Sequence, residues 1–153
     1  YAGPSASSGF VLFGKAGGFP ASLTLGRPGN AGFALVGLTR GPQITVAGAG
    51  DVNGDGIDDL LVSSVSLDRS TYVVFGSTAA LGPTFDLGSL NASNGFFVTG
   101  VSPAAGASTA VASRFAVSGA GDFDGDGFDD LLIGSPGTAD SPPLSGAVYL
   151  MFG

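Results

Sequence analysis

The sequence predicts an all-β fold made of four-stranded antiparallel units of the β-propeller-blade kind, about two to two and a half of them. Three observations carry that expectation: dense glycine and proline punctuation, short apolar runs between the punctuators, and repetition of those runs along the chain. The 28 Gly and 9 Pro in 153 residues interrupt the chain too often for long helices. The runs between them are rich in Val, Ile, Leu and Phe and have strand length. With 44% hydrophobic residues and 12 Phe, the chain has enough apolar surface for a core, and its length suits one domain.

Taken in order, the runs fall into four types, here A to D. A C-type strand, Phe10-Val11-Leu12-Phe13-Gly14, comes first, and a D-type strand, Gly32-Phe33-Ala34-Leu35-Val36-Gly37, follows it. Strand A is then Ile44 to Ala49, and strand B is Leu60 to Ser64. The next C is Tyr72-Val73-Val74-Phe75-Gly76, and the next D is Gly95-Phe96-Phe97-Val98-Thr99-Gly100. A second A (Phe115 to Ala120), B (Leu131 to Ser135) and C (Tyr149-Leu150-Met151-Phe152-Gly153) close the series. Equivalent runs lie about 62 to 77 residues apart, a period suited to a blade of about four strands.

The expected organisation is one repeat module over 1–153, in three parts. Residues 1–40 form a partial blade (C, D), 41–103 a full blade, and 104–153 a partial blade (A, B, C). A closed propeller needs at least ~4 blades, so neighbouring copies or a longer parent chain must complete this one. Linear stacking as a solenoid and a two-sheet sandwich both suit the strand count, but the repeat order favours blades.

Charge narrows the function. Only 11% of residues are charged, all twelve acidic residues are Asp, and nine of these lie in Asp51 to Asp59 and Asp122 to Asp130. The net charge of -7 is therefore local. Lys15, Arg27, Arg40, Arg69 and Arg114 are scattered and form no basic stripe, which argues against nucleic acid. Without Cys or His there are no disulfides and no thiolate or imidazole metal sites. No apolar run approaches the ~20 residues that span a bilayer, and nothing has the pattern of a signal peptide. The chain is thus expected to be either processed or excised from something longer, with no membrane insertion.

The two acidic windows are Asp51-Val52-Asn53-Gly54-Asp55-Gly56-Ile57-Asp58-Asp59 and Asp122-Phe123-Asp124-Gly125-Asp126-Gly127-Phe128-Asp129-Asp130. Both read D-x-[DN]-x-D-G-x-x-D and lie between strands A and B. Calcium takes 6 to 8 oxygens, and oxygens at positions 1, 3 and 5 of a tight loop converge on one side of an ion. Gly at position 6 supplies the turn and the carbonyl at position 7 adds a backbone ligand. The expected ligands are Asp51, Asn53, Asp55 and the Ile57 carbonyl in the first loop. In the second they are Asp122, Asp124, Asp126 and the Phe128 carbonyl. Position 12, where a helical calcium hand places Glu, is Val62 or Ile133, so the closing carboxylate falls to Asp59 or Asp130 at position 9.

Asp58 and Asp129 should then point away from the ion, to solvent or a backbone amide. Asp-Gly hairpin turns are the bland alternative. Two matched loops at one place in a repeat, with carboxylates that repel unless neutralised, favour two calcium sites over that reading. Magnesium fits less well because it dehydrates reluctantly. The second loop, with more carboxylates, is expected to bind more tightly. Affinities of ~10⁻⁴–10⁻³ M would suit a structural clamp.

These loops, preceded by Gly-Asp and followed by Leu-Leu, resemble the FG-GAP repeat, the blade unit of the integrin α-subunit β-propeller and of many bacterial surface proteins. The likeness covers nearly the whole chain. It implies calcium held between the first two strands of a blade by the residues named above, Asp59 and Asp130 included. The Phe-Gly that names the family falls on Phe115-Ala116 and Ile44-Thr45, and Gly-Ala-Pro becomes Gly134-Ser135-Pro136 and Ser63-Ser64-Val65. The Val-Phe-Gly strand and the loop Gly17-Gly18-Phe19-Pro20-Ala21-Ser22 look more like tandem repeats of large secreted bacterial proteins than like an animal integrin. The resemblance implies a secreted or cell-surface location, and integrin-type ligand binding does not follow from it.

Weaker features add little. Asn91-Ala92-Ser93 matches a glycosylation acceptor, which a bacterial origin would leave idle. The Phe side chains at strand positions are expected in the core and not on a ligand platform. Tyr1, Tyr72 and Tyr149 can stack on a sugar, yet Tyr72 and Tyr149 repeat within strand C and read as packing. An enzyme is not expected: there is no His, Cys or Glu, there is one Lys, and a Ser nucleophile would lack its base. Two functions remain: a calcium-stabilised extracellular module for adhesion or for protein or glycan binding, and a subunit that self-associates head-to-tail into a ring or filament by blade completion.

Overall fold

The computed structural model describes residues 9–24, 31–37, 44–64, 71–79, 81–99, 116–135 and 146–153. Tyr1, Arg27, Arg40, Val65, Arg69, Gly100, Arg114, Phe115 and Pro136 lie outside the described residues. Ten strands follow in order: β1 (Gly9–Leu12), β2 (Gly32–Val36), β3 (Ile44–Gly50), β4 (Asp59–Ser64), β5 (Thr71–Val74), β6 (Thr84–Asp86), β7 (Gly95–Val98), β8 (Ala116–Gly121), β9 (Asp130–Ser135) and β10 (Ala147–Met151). There is no α-helix among the described residues; a 3-10 turn spans Leu87–Ser89. The chain is all-β.

The strands form three sheets. The central one has the order β3-β4-β5-β7 with every pair antiparallel, so the four strand types lie side by side in sequence order. A second sheet, β8-β9-β10, repeats its first three members. The third, β1-β2-β6, pairs β1 and β2 antiparallel. Its last strand was not anticipated: β6 leaves the β5–β7 connection and runs parallel to β2, with Leu35 opposite Phe85.

The core lies between the sheets. Successive residues of a strand face opposite ways, and β4 buries both faces, which is why Leu60-Leu61-Val62 is an unbroken apolar run. Leu61 joins Ala49, Val52, Val73, Val117, Leu131 and Ile133 in one cluster, towards the β8-β9-β10 sheet. Val62 joins Phe33, Leu35, Tyr72, Val74 and Leu87 in the other, towards β1-β2. Tilted ring contacts tie β1, β2 and β6 together, Phe13 to Phe33 at 5.7 Å and Phe33 to Phe85 at 6.2 Å.

The expectation that Phe fills the core needs correction. At the expected strand positions Phe33 is buried, whereas Phe10, Phe13, Phe97 and Phe152 are exposed; the loop residues Phe19, Phe123 and Phe128 are exposed too. The small and aliphatic residues occupy the tight inter-sheet spaces, and most of the bare rings sit on β1, on the second Asp loop or beside β10. Tyr72 packs as expected, 9% exposed, but Tyr149 on β10 is 45% exposed. Strand β7 lies along β5 and shelters Tyr72, and no described strand lies along the outer edge of β10. Asn91 organises a turn before β7: its Oδ1 accepts from Ser93 N at 3.0 Å and Ser93 Oγ at 2.6 Å.

Candidate metal centres

Strands β3 and β8 both end in a bulge. The pairing skips Ala49 and Ala120, and Gly50 and Gly121 then pair with Asp59 and Asp130. Both glycines have positive φ, 76° and 68°, a left-handed conformation that re-aims the chain out of the sheet. The repeated Gly-Ala-Gly-Asp of the sequence is the signature of this corner.

The two loops that follow share one hydrogen-bond scheme. At position 1, Asp51 accepts from Asp55 N on Oδ1 (2.9 Å) and from Gly56 N on Oδ2 (2.7 Å). Asp122 accepts from Asp126 N on Oδ1 (2.9 Å) and from Gly127 N on Oδ2 (3.0 Å). At position 5, Asp55 Oδ1 takes Ile57 N at 2.9 Å, and Asp126 Oδ1 takes Phe128 N at 3.0 Å. At position 3, Asn53 Oδ1 and Asp124 Oδ1 take the amides of Asp55 and Asp126, at 3.0 and 3.3 Å. Backbone N–H groups thus hold each of these side chains over its own loop.

In the second loop, carboxylate oxygens of Asp122, Asp124 and Asp126 lie within 4.8 Å of one another, all exposed. Three hard, anionic donors in so small a space fit calcium by charge and by type. Desolvation and the charges of Asp126, Asp130 and Asp122 raise the Asp124 carboxyl above its ordinary pKa. In the first loop the amide of Asn53 replaces one charge, and its Nδ2 donates to Asp55 Oδ2 at 3.0 Å.

Position 9 holds more than the expectation gave it. Asp59 is 4% exposed and Asp130 0% exposed, and each carboxylate bridges two backbone amides. Asp59 takes Val52 N (2.9 Å) and Gly76 N (2.8 Å), while Asp130 takes Phe123 N (2.8 Å) and Gly153 N (3.0 Å). Each therefore ties the start of its loop to the glycine after the third strand of its sheet. Asp130 stands outside the Asp122, Asp124 and Asp126 cluster, and Asp51, Asp55 and Asp59 form no such cluster. Burial raises the Asp59 carboxyl above the usual range; the amides of Gly76 and Val52 oppose this, and the charges of Asp55 and Asp51 reinforce it.

The same tie explains the repeated Phe-Gly. A Cβ on Gly76 would meet the Ile57 side chain and lie 2.5 Å from the Asp58 carbonyl oxygen. One on Gly153 would lie 2.6 Å from the Asp129 carbonyl oxygen and 2.8 Å from Phe128 Cβ. Gly14, third of the set, has no Asp loop beneath it among the described residues, and a Cβ there meets nothing within 4 Å. Sequence reasoning noticed the dipeptide as a repeat and missed its contact with the loop.

Position 8 departs from symmetry. Asp129 reaches the other loop: its Oδ2 accepts from Asp51 N at 2.8 Å and its own N–H donates to Asp51 O at 3.0 Å. Asp58 is exposed, and its carboxylate has no hydrogen-bond partner among the described residues.

The described strands form repeated antiparallel sheets with Asp-rich corners, and one part of the chain is similar to a known family. The FG-GAP repeat model matches residues 115–151, which hold the second Asp loop with β8, β9 and β10. No curated protein and no solved structure matches the chain.

Proposed function

We propose that the chain is a non-enzymatic calcium-binding β-propeller segment, with two ions clamping the corners between first and second strands. The observation that carries this reading is the convergence of the Asp122, Asp124 and Asp126 carboxylates within 4.8 Å. The ligands are these three with the Phe128 carbonyl and Asp130, and in the first loop Asp51, Asn53, Asp55, the Ile57 carbonyl and Asp59. Bound calcium neutralises each acidic loop and fixes the corner, and the chain's own residues supply the oxygens. The module serves adhesion, or protein or glycan binding, at the cell surface or outside it. No described helix is long and apolar enough to cross a membrane.

Self-assembly by blade completion is the second reading, supported by the outer edges of β1 and β10, along which no described strand lies. Both are third-position strands, so a copy that completes another must displace one of them. Isothermal titration with calcium, followed by light scattering in calcium and in chelator, tests both readings. Two bound ions, reduced to one by Asp122→Ala with Asp124→Ala, support the clamp. A chain that binds no calcium overturns it. A species that stays monomeric at 14.8 kDa in both buffers removes the assembly reading.

A further inference from the structure

Each loop's leading residue, Asp51 or Asp122, follows a bulge and orients the loop's first carboxylate. In the first loop that residue is gripped from outside. Asp129, 78 positions away, forms two reciprocal hydrogen bonds with the Asp51 backbone, one through its carboxylate and one through its amide. The grip is close. A Cβ on Gly50 would collide with the Asp129 carboxylate, and one on Gly54 would collide with the Phe128 ring. Val52 is 7% exposed, in the core cluster with Ala49, Leu61 and Val117, and its counterpart Phe123 stands 69% exposed. A Cβ on Gly121 or Gly125, the matching positions of the second loop, meets nothing within 4 Å.

We propose that Asp129 is a positioning residue for the first metal site, so that the two sites bind calcium cooperatively. The inference rests on the calcium reading above. Asp129 lies between Phe128 and Asp130, two proposed ligands of the second ion. An ion in the second loop holds residues 128–130 in place, and the grip carries that order to Asp51. The coupling is reciprocal, because a free-energy link between two binding events acts equally in both directions. Partners that orient a ligand from behind typically change metal affinity by about 10- to 100-fold when removed.

The test is a calcium titration of the full chain followed by amide NMR, with Gly54 and Gly56 reporting the first loop and Gly125 and Gly127 the second. Asp129→Ala weakens the first site by at least about 10-fold. Asp129→Asn keeps one acceptor oxygen for Asp51 N and restores part of that affinity. Blocking the second site with Asp122→Ala and Asp124→Ala weakens the first site in the wild-type background and has no further effect on it in Asp129→Ala. Asp58→Ala, at the same position of the other loop, leaves the second site's affinity unchanged.

Where Asp129→Ala fails to fold, Gly50→Ala and Gly121→Ala replace it. Both add a methyl at positive φ, and only the former also meets Asp129. Gly50→Ala then weakens the first site more than Gly121→Ala weakens the second. An unchanged first site in Asp129→Ala, or loss at the second site alone, marks an ordinary structural residue and overturns the proposal. A wild-type chain whose glycine amides ignore calcium overturns the calcium reading itself, a separate outcome.

Discussion

Asp59→Asn separates the two roles that position 9 can have. Asparagine preserves the shape of the carboxylate but offers one acceptor and one donor. Two amides converge on Asp59, from Val52 at 2.9 Å and Gly76 at 2.8 Å, at a side chain only 4% exposed. One of them must therefore face an NH₂ group. Losing a hydrogen bond to a charged acceptor costs about 1.5–3 kcal/mol, and an unpaired buried N–H adds about 1–3. Relief of charge burial and of repulsion from Asp51 and Asp55, the causes that raise this carboxyl's pKa, offsets part of that loss. The net expectation is a destabilisation of roughly 1–3 kcal/mol, a large share of the ~5–15 that hold a typical domain.

The assay is urea unfolding at pH 7 followed by circular dichroism, in chelator and in calcium, with the exposed Asp58→Asn as control. The chelator arm is decisive, because the two amide bonds exist without an ion. A loss in chelator under about 0.5 kcal/mol, the range of ordinary surface changes, would refute the strut, and an effect confined to calcium would leave Asp59 as a ligand only.

Gly76→Ala places a methyl against Ile57 and the Asp58 carbonyl, so it should cost about 1–3 kcal/mol of overpacking, while Gly14→Ala, which meets open space, should not move the urea midpoint. The acid limb of stability carries the sign of the raised Asp59 carboxyl: the chelated fold binds that proton more tightly than the unfolded chain does. The resulting stabilisation is complete below pH 3.8 and is lost as pH rises through the folded-state value. The stability difference between wild type and Asp59→Asn, measured by urea midpoints from about pH 3 upward in chelator, should therefore shift against the wild type as pH rises through that window. Leu61→Ala and Leu131→Ala, both 0% exposed in one cluster, should each cost about 2–5 kcal/mol by thermal unfolding, and Val148→Ser, at 74% exposure, close to none.

Local features of the fold were legible because local patterns dictate them. The Ile44–Ala49 and Leu60–Ser64 runs announce strands, and their recurrence near Phe115 and Leu131 shows that one architecture is used twice. The β3-β4-β5 order follows from short connections between consecutive antiparallel strands, whereas β5 reaches β7 by way of β6. Strand β6 was not legible: Thr84-Phe85-Asp86 is too short to show a period and has no counterpart elsewhere in the repeats. The exposed phenylalanines misled for another reason, since hydrophobicity marks a side chain that wants cover without saying whether this segment supplies it. The loop donors were visible from spacing, but the grip of Asp129 on Asp51 spans 78 positions, and no window of the sequence contains it.

The last three residues of the second loop give the repeated pattern a physical reading. Phe128, Asp129 and Asp130 are consecutive, and their polar groups serve three different bodies. The Phe128 carbonyl is a ligand in the proposed reading, the Asp129 side chain holds the neighbouring loop, and the Asp130 carboxylate bridges Phe123 and Gly153 within its own sheet. Adjacent side chains of an extended chain leave on opposite sides, so one short stretch can tie a corner to the sheet behind it and to the corner beside it. In the second loop the two adjacent aspartates thus have separate contacts. An Asp-Gly hairpin turn needs neither. The same residues recur at Asp58 and Asp59, where Asp59 makes its two amide bonds and the Asp58 carboxylate is exposed. The inward tie is thus made in both loops and the lateral one in the second, which is why Asp58 and Asp129 are the pair of equivalent residues whose substitution should differ most.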